Sequence, residues 1–413
     1  MQKFSRLLTC RKGMSLSNIS SEENGDSARI QGGYLGTTPP PGELPPRGQR
    51  IWVDRPEQLL QAVDRLEQAP IVAIDAEFTQ ARSHTQSESS GPRLALLQLA
   101  IEGECFVVDA LRLRELEPLD AVVANPELPV LLHGAGADLR VMAERGLHVA
   151  HYYDLEATSR SIFGQHESSL AAMLQRAFHV HLDKSLQRTD WTRRPLPPAM
   201  VAYAARDAEM TLELYRWLEE HFAWALHLHE STNLQEPVAE WIEPFLRGSL
   251  PLPADVVVAE AIKQKTIHDQ DQVLADCRSA LQTLTHPMRK SRLLRLITDL
   301  SLNQLMPEIE PLLQAPTADE RAAAVRALSR LGTEEAREQI QPLLQDPVYD
   351  VRKAVQTALR FSTQKEPRGQ WNAPARSADG TRSWTVGEAA SASDTTSGDD
   401  DDWRSRLRLF MNE

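Results

Sequence analysis

No stretch of this 413-residue chain approaches the ~20 consecutive apolar residues that a membrane-crossing helix needs. Cysteine is scarce. Cys10, Cys105 and Cys277 lie far apart, which argues against a disulfide framework and leaves no cysteine metal-ligand spacing. Such usage fits a reducing, cytoplasmic setting. Net positive charge is lacking as well: the formal charge of −13 argues mildly against a large nucleic-acid-binding surface. A local basic patch would still suffice for one strand end. The first twenty residues contain no Asp or Glu and are basic. They suit either a targeting segment without a secretory apolar core, or a leader ahead of a second start at Met14.

The length exceeds one ordinary core, so two or more domains are expected. Residues 1–48 are polar and rich in Ser, Gly and Pro, which predicts disorder. From Ile51 the pattern changes. DRPEQLLQAVDRLEQ places Leu59, Leu60, Val63 and Leu66 on one helical face. The runs PIVAIDAEF, RLALLQLAI and ECFVVDA read as strands, the first two separated only by a polar loop and so able to pair antiparallel. Strand and helix patterns then alternate: a helix near 115–124, apolar PVLLHGAG, helical ADLRVMAERG, strand-like HVAHYYD and helical LEATSRSIFG. A long helix from about Pro198 to His227 follows. Residues 49–230 are therefore expected to form an α/β domain with a mixed sheet and helices on its faces.

Residues 236–362 show only helical patterns, and they repeat. IEPLLQAPTADERAAAVRAL from Ile309 aligns with IQPLLQDPVYDVRKAVQTAL from Ile340, so that Pro311 matches Pro342 and Arg321 matches Arg352, 31 positions on. A period of this size with two amphipathic helices per unit indicates an α-solenoid. It resembles HEAT repeats of the short bacterial type, with a degenerate third unit expected around 270–300. Within that stretch, MRKSRLLR (288–295) is basic and helical, suited to RNA where solenoids more usually bind a protein partner. Residues 365–413 read as a disordered acidic tail ending in SGDDDDWRSRLRLFMNE, a docking peptide or a solvated end.

The chemistry begins at VAIDAEF. Successive strand side chains alternate, so Asp75 and Glu77 share a face. Two carboxylates that close raise each other's pKa unless a cation lies between them. Alone, the pair also fits a solvated strand end. Asp138 falls in the first turn of the helix after HGAG, where an acid suits the helix dipole. Tyr203 and Asp207 are four apart in AYAARDAE, hence on one helical face.

Together, D-x-E, H-x-x-x-x-D and Y-x-x-x-D, in this order, resemble the three motifs of DEDDy-type 3′–5′ exonucleases. VAIDAEF, GPRLALLQLA and HLDKSLQRTDWTRRPLPPAMVAYAARDA bring the resemblance to the RNase D family, over about 50–225. It implies an RNase H-like fold and metal-dependent hydrolysis of nucleic-acid 3′ ends, releasing 5′-mononucleotides. By position, Asp75, Glu77, Asp138 and Asp207 would hold two divalent ions, Mg²⁺ or Mn²⁺, with Tyr203 orienting the water. Ala202 stands where the histidine subclass carries its His. RNA is the expected substrate, with single-stranded DNA, or a catalytically idle scaffold, as the competing readings. Lys184, Arg188, Arg193 and Arg194 form a basic cluster suited to phosphates or to solvent, while Trp191 is expected to pack. Gln98 and His133 lie on strands beside the acids and fit either sugar or base contacts or interior polar roles. The helical HRDC domains that follow in RNase D are absent from the pattern, so the expected role is processing or turnover of tRNA or other structured RNA, without a choice between them. A protein partner for the HEAT-like region or the tail is expected; a membrane is not.

Overall fold

The computed structural model describes residues 39–79, 92–182, 186, 189–247, 253–265, 267–332 and 334–363. Six strands form one mixed sheet: β1 (Gln49–Val53), β2 (Val72–Thr79), β3 (Arg93–Ile101), β4 (Glu104–Asp109), β5 (Val130–Leu132) and β6 (Tyr152–Asp154). Their order is β1-β4-β3-β2-β5-β6. β2 and β3 pair antiparallel, as their short polar connection requires, and β2–β5 and β5–β6 pair parallel across helical crossovers. β3 is apolar along nearly its whole length because helices cover both faces of the sheet.

One face packs on α1 (Pro56–Leu66), α2 (Asp120–Val123) and α3 (Gly136–Ala143), burying Val72, Ile74 and Leu97 among Leu59, Val122 and Val141. The other face carries Ala73, Ala95 and Leu131 against α4 (Leu155–Phe163), α5 (Leu170–Phe178) and the long α6 (Pro198–Leu228). Ala204, Ala205 and Ala208 are fully buried there, and their small side chains let α6 lie close on the sheet. Arg50 on β1 clamps Glu209 of α6 through two 2.7 Å hydrogen bonds, fixing the helix's rotation.

The structure alters several local expectations. β1 and α5 were not read from the sequence. The 115–124 helix narrows to a 3₁₀ turn at Glu117–Leu119 and the one-turn α2, and HVAHYYD contributes only three strand residues at the sheet edge. The segment expected to be disordered up to residue 48 is placed from residue 39 on. Gly42 N donates to Ala177 O at 2.8 Å and Trp217 Nε1 to Pro40 O at 3.3 Å. Proline fixes φ in advance, so ordering this proline-rich strap costs less than its composition implies.

From Glu243 the chain is helical: α7 (Glu243–Arg247), α8 (Ala254–Lys263), α9 (Gln270–Thr283), α10 (Pro287–Asp299), α11 (Ala318–Leu331), α12 (Glu334–Ile340) and α13 (Tyr349–Thr363). The 31-residue register has a physical cause. Arg321 Nη1 donates to the carbonyls of Ala315 and Pro316, and Arg352 Nη1 donates to those of Asp346 and Pro347, 31 positions on. Each arginine ties its helix to the turn that precedes it. Arg321 also forms a buried bidentate pair with Asp346 of the next unit, at 2.7 and 3.1 Å. The degenerate unit keeps the register: His286 caps α10 as Thr317, 31 later, caps α11, and Ile297 and Leu328 are both fully buried.

The helical region joins the α/β region at α4. Ser161 Oγ donates to Asp319 at 2.7 Å and contacts His229 Nε2 at 2.7 Å, while Asp350 accepts from Gln165 N at 2.6 Å. Gly164 sits at φ +91° in this seam, where a Cβ would meet Val348 at 2.7 Å.

Removing one partner of a buried ion pair strands the other charge, at a cost of about 3–5 kcal/mol. Arg321→Ala is therefore expected to lower the stability of the helical region by about that amount. Chemical denaturation followed by far-UV circular dichroism reads it; an unchanged midpoint would remove the arginine's structural role.

Candidate active site

β2 and α6 build the site between them. Ala73, Asp75 and Glu77 alternate onto the face that α6 covers, and a register irregularity after Glu77 ends the regular pairing there. Asp207 lies on α6 one turn after Tyr203. Asp75, Glu77 and Asp207 each offer a carboxylate oxygen, all within 4.8 Å of one another. Asp138 stands in the first turn of α3, buried, and close enough that its charge acts on Glu77.

Asp154 holds Asp138's helix in place. Its carboxylate caps α4 by accepting from Glu156 N and Ala157 N, and it also accepts from Gly134 N at 3.0 Å and Ala135 N at 3.3 Å, just before α3. Gly134 adopts φ +80° there, and a Cβ would meet the Glu156 carboxylate at 2.7 Å. Sequence reasoning missed this residue, although an Asp directly ahead of LEATSRSIF is a readable N-cap signal.

Burial is the first cause of the unusual protonation at these acids. It pushes Glu77 up to about 9, with the charges of Asp75, Asp207 and Asp138 adding to it. Asp75 is raised by burial, and Asp138 by burial followed by the charge of Asp75. No Lys or Arg forms an ion pair with Asp75, Glu77 or Asp138 among the described residues. Hard oxygen donors so arranged fit a hard divalent cation, and no side-chain cation among the described residues takes its place.

The expected substrate contacts part ways. Gln98 is opposite Asp75 in the β2–β3 register and fully buried. With its amide nitrogen turned to Asp75, it donates to Oδ2 at 3.1 Å and to the main-chain carbonyl at 2.8 Å. It thus orients a carboxylate, a role set by cross-strand register that the sequence pattern alone did not reveal. His133 lies in the turn after β5, its ring lowered in pKa chiefly by burial and its Nε2 without a hydrogen-bond partner among the described residues.

Arg194 differs from expectation. It grips the buried Asp109 with hydrogen bonds of 2.6 and 2.7 Å and donates to the carbonyls of Trp191 and Ala95. These bonds take up its guanidinium, so it anchors the linker to the ends of β3 and β4 in place of a phosphate. The same anchor seats buried Trp191 beside Tyr203, ring centroids 6.1 Å apart, so the tryptophan packs as expected. Arg193 is exposed beside it, and Lys184 and Arg188 lie outside the described residues.

Two outcomes follow from these charges. The raised carboxyls keep protons in the folded chain that the unfolded chain releases from about pH 4 upward. Without metal, stability is then fullest below that pH and falls as pH rises toward about 9. Melting temperatures in EDTA should decline across this window, and excess Mn²⁺ should remove the decline by stabilising the ionised carboxylates; a flat profile in EDTA would contradict the burial. Arg194→Ala should destabilise the fold by about 3 kcal/mol through the stranded Asp109. Unchanged stability with weakened substrate binding would return Arg194 to the phosphate contacts.

Two family models match the two regions of the chain. A family model described as a 3′–5′ exonuclease matches residues 50–223, and one described as HEAT repeats matches residues 272–368. The chain is similar to the exosome complex exonuclease RRP6 of Saccharomyces cerevisiae, 32% identical over 190 residues, 45% of this chain and 25% of that protein. It is similar to ribonuclease D of Haemophilus influenzae, 30% identical over 166 residues, 40% of each chain. The solved catalytic core of RRP6 from Trypanosoma brucei covers 82% of this chain and 86% of its own, at 21% identity and a TM-score of 0.40. The chain spans less than half the length of the curated relatives named here. Residues 50–223 are a 3′–5′ exonuclease domain with ribonuclease D and RRP6 homologues, and HEAT repeats follow it in the same chain.

Proposed function

We propose that the protein is a metal-dependent 3′–5′ exoribonuclease that removes 5′-mononucleotides from RNA 3′ ends. Its nuclease domain would span residues 49–230 and its helical domain 236–362. The observation that supports the reading is the approach of three carboxylate oxygens to within 4.8 Å of one another beside Tyr203's helix face. Asp75, Glu77, Asp138 and Asp207 would hold two divalent ions, Mg²⁺ or Mn²⁺. When bound, these supply Lewis-acid stabilisation of phosphate oxygens and a water of lowered pKa.

The chain's own residues do the positioning. Gln98 fixes Asp75 so that one of its oxygens stays turned into the site. Asp154 fixes the α3 N-terminus and with it Asp138. Tyr203, braced by Trp191, would hydrogen-bond the attacking water and direct it in line with the terminal phosphodiester. His133 and Arg193 would contact the terminal nucleotide, with Lys184 and Arg188 as further phosphate contacts. RNA is favoured over DNA because curated relatives are named as ribonucleases. The free, buried Cys105 and Cys277 suit a cytoplasmic setting.

Turnover on 5′-labelled oligomers tests this. Loss of a residue that only orients a metal ligand costs roughly 10–100-fold, so Gln98→Ala should fall by about that much. Asp207→Asn should fall further. Tyr203→Phe should lose about 10²–10⁴-fold while metal affinity stays unchanged. Equal degradation of matched DNA and RNA would overturn the ribose preference, and full activity of Asp207→Asn would overturn the site.

A further inference from the structure

α10 and α11 run side by side in the helical region, and a groove of about 500 Å³ opens between them. Its walls are arginine. Arg292 and Arg295 face it from α10, one turn apart, and Arg326 and Arg330 from α11, also one turn apart. The floor includes Ala323 and Ala327, whose small side chains let a chain settle between the two rows. No Asp or Glu lines the groove. The acids nearest these guanidinium groups stand outside the lining: Asp299 beside Arg295 and Arg330, and Asp319 and Asp350 close enough for their charges to act on Arg326.

The local ion pairs are weak. Asp299 reaches Arg295 at 3.6 Å and Arg330 at 3.9 Å, but those arginine side chains are 80% and 67% exposed, so the pairs contribute little. Arg326 forms no ion pair among the described residues. Arg292 gives one N–H to the Leu246 carbonyl and forms no ion pair among the described residues. Arginine of this kind, forked and poorly hydrated, suits phosphate oxygens. MRKSRLLR, the basic run singled out in the sequence, supplies one wall. The seam through Ser161 and Asp319 joins α11 to the nuclease domain, so both lie in one compact unit.

We infer that this arginine groove binds the phosphate backbone of the single-stranded RNA whose 3′ end enters the nuclease site, and that it sets the preference for longer substrates. The inference rests on the proposed exoribonuclease reading. A protein partner fits less well, because a peptide groove of this size without acids or exposed aromatics would select only by net charge.

The test uses the full chain in EDTA, with fluorescence anisotropy of a 5′-labelled single-stranded RNA read against salt concentration. Arg295→Ala, Arg326→Ala and Arg330→Ala are combined in one variant. Affinity should fall at least tenfold, and the slope of log affinity on log salt should shrink by about 2, at about 0.7 for each phosphate no longer neutralised. The triple Arg→Lys version should restore the slope, which a folding defect would not do. Hydrolysis of a trinucleotide should be unchanged in all three proteins. Unchanged RNA affinity and slope would overturn the inference, as would a weakening confined to an acidic peptide such as polyglutamate. If no divalent ion supports trinucleotide hydrolysis by the wild-type chain, the nuclease reading fails, and the salt slope still decides whether the groove binds RNA.

Discussion

Asp75, Glu77 and Asp207 repel one another, and the fold leaves them no way apart. β2 cannot shift, because a one-residue slip would carry Ile74 out of its core and the acids into it. α6 cannot rotate, because Arg50 holds Glu209 two residues beyond Asp207 and a row of alanines is pressed against β2–β4. The cost of burying these carboxylates, to which the charges of Asp75, Asp207 and Asp138 add at Glu77, is therefore held in the site until a divalent cation relieves it. Much else in the domain serves to keep those carboxylates together.

Two further sets of polar contacts extend the constraint outward. Arg194 with Asp109 secures the linker that leads into α6. Asp154 joins the starts of α3 and α4, so Asp138 moves only if two helices move. Neither Arg194 nor Asp154 needs to touch a substrate to matter. Each limits the freedom of a residue of the proposed site, which is how a site gains positional accuracy.

The acids and Tyr203 were legible in the sequence because their spacing is local: period two in a strand and four in a helix. The sheet was legible where apolar runs were long. β1 escaped because QRIWV is short and opens with two polar residues, while β6 was read too long because an edge strand buries little. The roles of Gln98 and Arg194 stayed open in the sequence for one reason. Their partners, Asp75 and Asp109, are distant in sequence, and only strand register and the path of the linker bring them into contact. A basic residue near a motif looks like a substrate contact until its counter-ion is found.

The same distinction runs through α11, which carries three arginines of opposite meaning. Arg321 is buried, bonded to two carbonyls and to Asp346, and belongs to the repeat. Arg326 lies five residues on, about 140° round the helix, and Arg330 only about 40° beyond that. Both are exposed on the groove side. The repeat demands an arginine only at the first position, since only there does it close the preceding turn, as Arg352 does 31 residues later. Packing therefore accounts for Arg321 and Arg352, while Arg330 has only an exposed 3.9 Å approach to Asp299 and Arg326 forms no ion pair among the described residues. Their task is sought outside the chain.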